Sequence, residues 1–283
     1  MPTIGEAVAK ASPNDTITVM QGIYKECVVV DKAVAIRGDG EKNRVTLRAP
    51  ADNLTAAPLV VNAAGATVSL QTLLVVADSQ GRFAVDVQAG TMSMTECEVH
   101  GCCAATTDGA VLNAKGNVFK KSTREGVLYS SGAKGTAEDN EVSECTAGIA
   151  ITSGSDPIIR NNRVRDCTDG LTVTDAGCGS IEDNDFFGNT SAGVRVSKGG
   201  RPVFRANTVR DADGCGIVIE EGGEGTYDSC TVSGLEKDGV VISQPSSNPF
   251  VTKCTIHTCK GSGLSAKEGG AGTVTEGAAA NSS

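Results

Sequence analysis

The stretch IIRNNRVRDCTDGLTVTDAGCGSIEDNDFFGNTSAGVRV, residues 158–196, holds two successive copies of one pattern. Each copy has a short apolar-centred segment, then Asn, then a second such segment, then Gly opening an alternating run. Asn162 and Asn184 mark the first column, and Gly170 and Gly193 the second. Working outward, the first column extends to Cys97, Asn117, Asn140, Asn207, Cys230 and Cys254, each followed two residues later by Val, Ile or Phe. Leu73 adds one further step upstream. The second column runs Gly126, Gly148, Gly170, Gly193, Gly216, Gly239 and Gly263. Both march at 22–24 residues over most of their length. Two columns with one period define a repeat architecture.

The runs after each Gly (GVLY, GIAI, GLTV, GVRV, GIVI, GVVI, GLSA) alternate with the period of a half-buried strand. Two more short strands flank the Asn or Cys, as in Pro157-Ile158-Ile159-Arg160 and Arg163-Val164-Arg165. Three strands per repeat predict one coil of a parallel β-helix, with coils ~4.8 Å apart and equivalent positions stacked in ladders. The fold class is therefore all-β: a single-stranded parallel solenoid of about ten coils. Thr3-Ile4-Gly5-Glu6 reads as a capping box for a short helix over about 3–11. One domain, 1–272, is expected, with a flexible Gly/Ala/Ser-rich tail over 273–283.

Composition agrees. The chain has 283 residues, 35 Gly, 11 Cys, no Trp and 3% aromatic residues, which suits thin layers of small side chains. Asparagines in a left-handed turn are expected to hydrogen-bond up the axis, with cysteines replacing them at both ends. A second cysteine column is read at Cys102, Cys145, Cys167 and Cys259. Phe119, Phe186, Phe204 and Tyr227 fall at inward positions. Free interior thiols and the absence of a basic-then-apolar leader point to a cytoplasmic location. A net charge of −9 disfavours nucleic acid and anionic membranes as partners. No run reaches the ~20 apolar residues of a membrane span.

The pattern I-x-x-N-x-[VIF] followed by Gly-[VIL]-x-[VIL] resembles the right-handed parallel β-helix repeat of the pectate-lyase superfamily. The N-terminal segments Thr3–Val8, Asp15–Ile17 and Gly22–Glu26 resemble the opening of those domains. The resemblance covers roughly residues 3–270. It implies right-handedness, a helical plug, and a groove on the glycine-strand face where the enzymes bind saccharide. Asp185–Asn189 and Gly200-Arg201-Pro202 are similar to catalytic motifs of pectin methylesterases, without that family's glutamines and second aspartate. The β-helix region of F-box adaptor proteins is a non-catalytic resemblance.

Candidate functional residues come from the outward columns. Lys115, Glu138, Arg160, Glu182, Arg205 and Asp228 alternate in sign and predict a surface ion-pair ladder. On the glycine-strand face the columns include Leu128, Thr172, Arg195, Val218 and Val241, with Glu220 beside them. This reads as a mostly neutral stripe with exposed apolar side chains, suited to a protein or peptide partner. The leading expectation is a non-catalytic recognition scaffold. The alternative is a carbohydrate-active enzyme, a polysaccharide lyase or epimerase, using Asp169, Asp213 and Arg195 at the turn edge. No cofactor is implied, except Ca²⁺ under that alternative. His100 and His257 stand seven coils apart, ~34 Å by strand spacing, and form no common site.

Overall fold

The computed structural model describes residues 3–40, 44–51, 53, 56–77, 83–275 and 278–280. Three parallel ladders of strands wind into a right-handed β-helix of about eleven turns. Thr3 caps the helix Ile4–Lys10 through the expected reciprocal box with Glu6. Glu26 reaches the same terminus, accepting from the Ile4 N–H at 2.8 Å and the Gly5 N–H at 2.9 Å. Ile4 and Val8 are buried over the first turn, so the helix closes that end of the core.

The first ladder is the glycine-strand face, including Asp169–Val173, Ala192–Val196 and Cys215–Ile219 in parallel register. The second includes Ile158–Arg160, Ser180–Glu182 and Val203–Arg205. The third includes Arg163–Arg165, Asp185–Phe187 and Thr208–Arg210. Pairing continues past residue 272: Thr273–Thr275 adds to the second ladder and Ala278–Ala280 to the third. Residues 276, 277 and 281–283 of the anticipated tail lie outside the described residues.

A bend and an amide ladder join the second and third faces. The left-handed residue is the one before each anchor, not the Asn itself: Asp139, Asn161, Asp183, Ala206, Ser229 and Lys253 have φ between 51° and 57°. That residue turns the chain outward at the corner and leaves the next side chain pointing inward. The inward asparagines then bond along the axis. Asn162 Nδ2 donates to Asn184 Oδ1 at 2.9 Å and to the Ala137 carbonyl at 2.8 Å. Its own Oδ1 accepts from the Asn140 backbone N–H and amide, both at 3.0 Å. The chain of amides runs unbroken from Asn117 to Asn207.

Cysteines end this ladder because a thiol keeps one half of the function. Cys230 Sγ faces the Phe204 and Asp228 carbonyls, and Cys254 Sγ those of Tyr227 and Thr252, where an amide would donate. Neither offers an acceptor as strong as a carbonyl oxygen. Beside them, Phe186 stacks on Phe204 with ring centroids 5.9 Å apart, and Tyr227 packs tilted against Phe204 at 5.8 Å. Cys145, Cys167 and Cys259 are buried as expected. Cys102 does not join them. A register shift between Cys102 and Cys103 places Cys102 opposite Phe83, on the outside of the coil.

The glycine column is set by close approach. A Cβ on Gly148 would lie 2.3 Å from Val164 Cγ1 and 2.6 Å from the Gly170 carbonyl oxygen. Only a residue without a side chain lets the first and third faces meet there.

Asn162→Ala is expected to lower stability by about 2–4 kcal/mol, because it removes the acceptor of the Asn140 backbone N–H and amide and one donor to the Ala137 carbonyl. Asn162→Cys retains one donor and should lose less. Urea unfolding followed by circular dichroism measures both, and equal losses would show that the donor contributes nothing.

Candidate functional site

Cross-strand register on the glycine-strand face runs Ala104, Leu128, Ala150, Thr172, Arg195, Val218, Val241, Ser265. The predicted column therefore exists. Its expected exposure does not: Leu128, Val218 and Val241 are only 7, 8 and 8% exposed. Side chains ~4.8 Å apart shield one another along the axis, and flanking columns shield them laterally. Cys102, Ala104, Leu128 and Ala150 form a second apolar cluster outside the coil, with Phe83 packed on it. Strand alternation reveals direction but not this lateral cover. The stripe thus offers a protein partner little apolar surface to bury.

The polar centre of the face is Arg195. It projects from the penultimate position of Ala192–Val196 and spans to the coils on both sides. Nε lies 3.0 Å from Asp169 Oδ2, and Nη2 lies 3.3 Å from Asp169 Oδ1. Nη1 donates to Glu220 Oε1 at 2.6 Å, and Nη2 to Ser191 Oγ at 3.0 Å. Side-chain exposures of Asp169, Arg195 and Glu220 are 16, 28 and 27%, so the cluster is held from below and open above. Burial pulls the guanidinium pKa down, but the bonds to Asp169 and Glu220 outweigh it and hold the pKa above the ordinary value. Arg195 stays charged at any working pH.

Of the three carboxylate-site residues read from the sequence, the fold unites Asp169 and Arg195. Asp213 is exposed and is not among the partners of Arg195. Glu220, read only as part of the face, completes the network. Ser191 joins from the turn, four residues before Arg195, and no sequence signal distinguishes it from other turn serines. Thr172 sits beside Arg195 in register.

A second charged pair lies farther along the face. Lys267 Nζ is 2.6 Å from Asp238 Oδ2, while the Ser262 N–H donates to Asp238 Oδ1 at 2.8 Å. Cys215, half-buried, stacks between the Ala192 and Asp238 positions. A concavity of about 380 Å³ lies elsewhere, lined by Ala64, Gly65, Thr91, Asp108 and Gly109 among others. Among the described residues no group of three or more His, Cys, Asp or Glu is placed to hold a metal ion. Nor is any helix there long and apolar enough to cross a membrane.

Chemically, the Arg195 cluster offers donors and acceptors side by side on three consecutive coils. The carboxylates accept hydroxyl protons, and the guanidinium donates in a fixed plane. With one positive and two negative groups, its formal charge is −1.

The family model for a right handed beta helix region matches residues 104–243 and 192–282. No curated protein matches the sequence. Solved structures share the fold at low identity. The A-module of the Azotobacter vinelandii mannuronan C-5 epimerase AlgE4 superposes with a TM-score of 0.66 at 11% identity, over 98% of this chain and 93% of that one. The periplasmic alginate epimerase AlgG gives 0.68 at 13%, over 97% and 83%. The catalytic domain of a GH87 alpha-1,3-glucanase in complex with nigerose gives 0.60 at 13%, over 96% and 66%.

The Lys267 ammonium holds the Asp238 carboxyl below the usual carboxylate range, with help from the Ser262 N–H and against partial burial. A depressed folded-state pKa means that this pair stabilises the protein above the unfolded value of ~3.9, and that the contribution fades as pH falls through the folded value. Lys267→Met should therefore raise the Asp238 pKa toward ~3.9 and remove its share of the acid-side stability slope. Carboxyl-carbon NMR titration reads the shift directly, and an unmoved Asp238 would refute the assignment.

Proposed function

We propose that this chain, which belongs to the family of the right handed beta helix region, binds an extended carbohydrate along its glycine-strand face, with Asp169, Arg195 and Glu220 as the contact residues. The observation that carries this reading is the open network of one guanidinium and two carboxylates on three consecutive coils. Adjacent sugar hydroxyls both donate and accept, and such alternating acceptors and donors at hydrogen-bond spacing complement them. Neighbours in fold carry the names of a mannuronan epimerase, an alginate epimerase and an alpha-1,3-glucanase, which supports a carbohydrate over a protein partner. Burial of Leu128, Val218 and Val241 points the same way.

Charge selects among carbohydrates. The cluster carries −1 and the chain −9, so a uronate polymer meets repulsion unless a cation such as Ca²⁺ bridges it. A neutral chain has no such cost. The proposal is therefore a neutral linear glycan, held by hydroxyl contacts to Asp169 and Glu220 and by donation from Arg195.

Titration calorimetry with neutral gluco- and xylo-oligosaccharides, and with oligoalginate with and without Ca²⁺, tests both parts. Neutral oligosaccharides should bind, and Arg195→Ala should weaken them roughly 10- to 100-fold, the range for a lost charged hydrogen bond. Asp169→Asn should weaken them by a smaller factor. Binding unaffected by Arg195→Ala, or no binding of any glycan, would overturn the reading.

A further inference from the structure

The second ladder carries a pattern that the carbohydrate reading does not use. Its first outward column runs Thr136, Ile158, Ser180, Val203, Thr226, Phe250, Thr273 in parallel register. Large apolar and small hydroxyl side chains alternate coil by coil. Ile158, Val203 and Phe250 are 45, 43 and 41% exposed, in contrast to the buried apolar side chains of the glycine-strand face. Two residues on, the charge column alternates in step: Glu138, Arg160, Glu182, Arg205, Asp228. Every Arg shares a strand with a large apolar residue, and every acid with Ser or Thr. Two residues before the first column, Arg201 precedes Val203 and Glu224 precedes Thr226. Both are exposed, and among the described residues neither side chain has a hydrogen-bond or ion-pair partner.

We infer that this face is a self-complementary docking surface for a second copy of the chain, packed antiparallel. A two-fold axis lying in the face, parallel to the strands and midway between the Val203 and Thr226 strands, keeps each column facing its own counterpart. It exchanges odd coils for even ones. Val203 then meets Thr226 of the second copy, Ser180 meets Phe250, and Ile158 meets Thr273, so every ridge meets a gap. Arg205 meets Asp228 and Arg201 meets Glu224, each contact occurring twice by symmetry. Arg160 meets the neutral Thr275 and Glu182 the neutral Thr252, so the charge column brings no like charges together. A parallel arrangement instead sets large against large, Arg205 against Arg201 and Asp228 against Glu224. The charge pattern therefore chooses both the partner and its direction.

Within one chain Arg205 and Asp228 already lie 3.4 Å apart, with side-chain exposures of 57 and 25%. The second copy turns this pair into a four-charge cluster at the symmetry axis. Six strands face their counterparts across the axis, and with three columns they cover about 24 by 13 Å, a footprint of roughly 300 Å² on each copy. The total lies below the roughly 1,200 Å² of stable complexes, so a weak, transient dimer is expected. The inference is independent of the carbohydrate reading.

Sedimentation velocity across ~1–500 μM should show a reversible monomer–dimer equilibrium that weakens with salt. Arg205→Glu alone places acid against Asp228 of the second copy, and Asp228→Arg alone places base against Arg205. Each variant should raise the dissociation constant at least ~10-fold. Mixed together, the two variants bring opposite charges face to face at both contacts, so a heterodimer should form with near-original affinity. Circular dichroism checks that each variant is folded. A chain that stays monomeric at ~500 μM, a dimer indifferent to both variants, or a mixture that fails to associate would each overturn the inference. Glycan binding at this face by a strictly monomeric chain would do so as well.

Discussion

Every turn of this molecule is tied to the next by parallel backbone hydrogen bonds, and that tie fixes the rise at ~4.8 Å. A residue's chief neighbours are the residues one repeat before and after it. Each position must therefore tolerate its own kind, or a complementary kind, directly above and below. Asn satisfies this by donating to one neighbour and accepting from the other, which is why the amides run without interruption from Asn117 to Asn207. Phe186, Phe204 and Tyr227 satisfy it by packing ring against ring. The glycines satisfy it by leaving room where two faces converge.

Charge obeys the same constraint. A column of like charges is repelled along its whole length, so charged columns alternate or pair across a coil. Glu138 shows this, lying between Lys115 at 3.3 Å and Arg160 at 3.1 Å. These bonds hold its carboxyl below the ordinary range, the Arg160 contact most strongly. Arg195 obeys the rule in another way, by bridging acids on both neighbouring coils. The difference between the two faces is what remains for a ligand. On the glycine-strand face a compact polar cluster is open above a buried apolar floor. On the second face, apolar ridges stand exposed between partly satisfied charges.

Much of this was legible from spacing alone. The Asn and Gly columns, the capping box at Thr3 and Glu6, the inward rings and the adjacency of Asp169 and Arg195 all follow from period and alternation. What failed has identifiable causes. Cys102 was misplaced because a bulge beside Cys103 breaks the count, and a bulge leaves no mark in a periodic pattern. The left-handed residue was assigned one position late, because Asn tolerates that conformation while here its side chain is needed inside. Asp213 was read beside Asp169 and Arg195 at the turn edge, yet its side chain is exposed and is not among the partners of Arg195. Glu220 was seen on the face but not as a partner, since its reach back to Arg195 depends on side-chain direction.

The sequence by itself determined the architecture: a 23-residue period with two fixed columns admits only a stacked coil, because backbone pairing turns equal spacing into direct contact. It also determined which residues share a coil face. Only the tertiary structure decided what those faces present. Leu128, Val218 and Val241 are outward yet covered, while Ile158, Val203 and Phe250 are outward and bare. Alternation along a strand says which way a side chain points. Whether water reaches it depends on the width of the flanking columns, and that is set by neighbours a full repeat away.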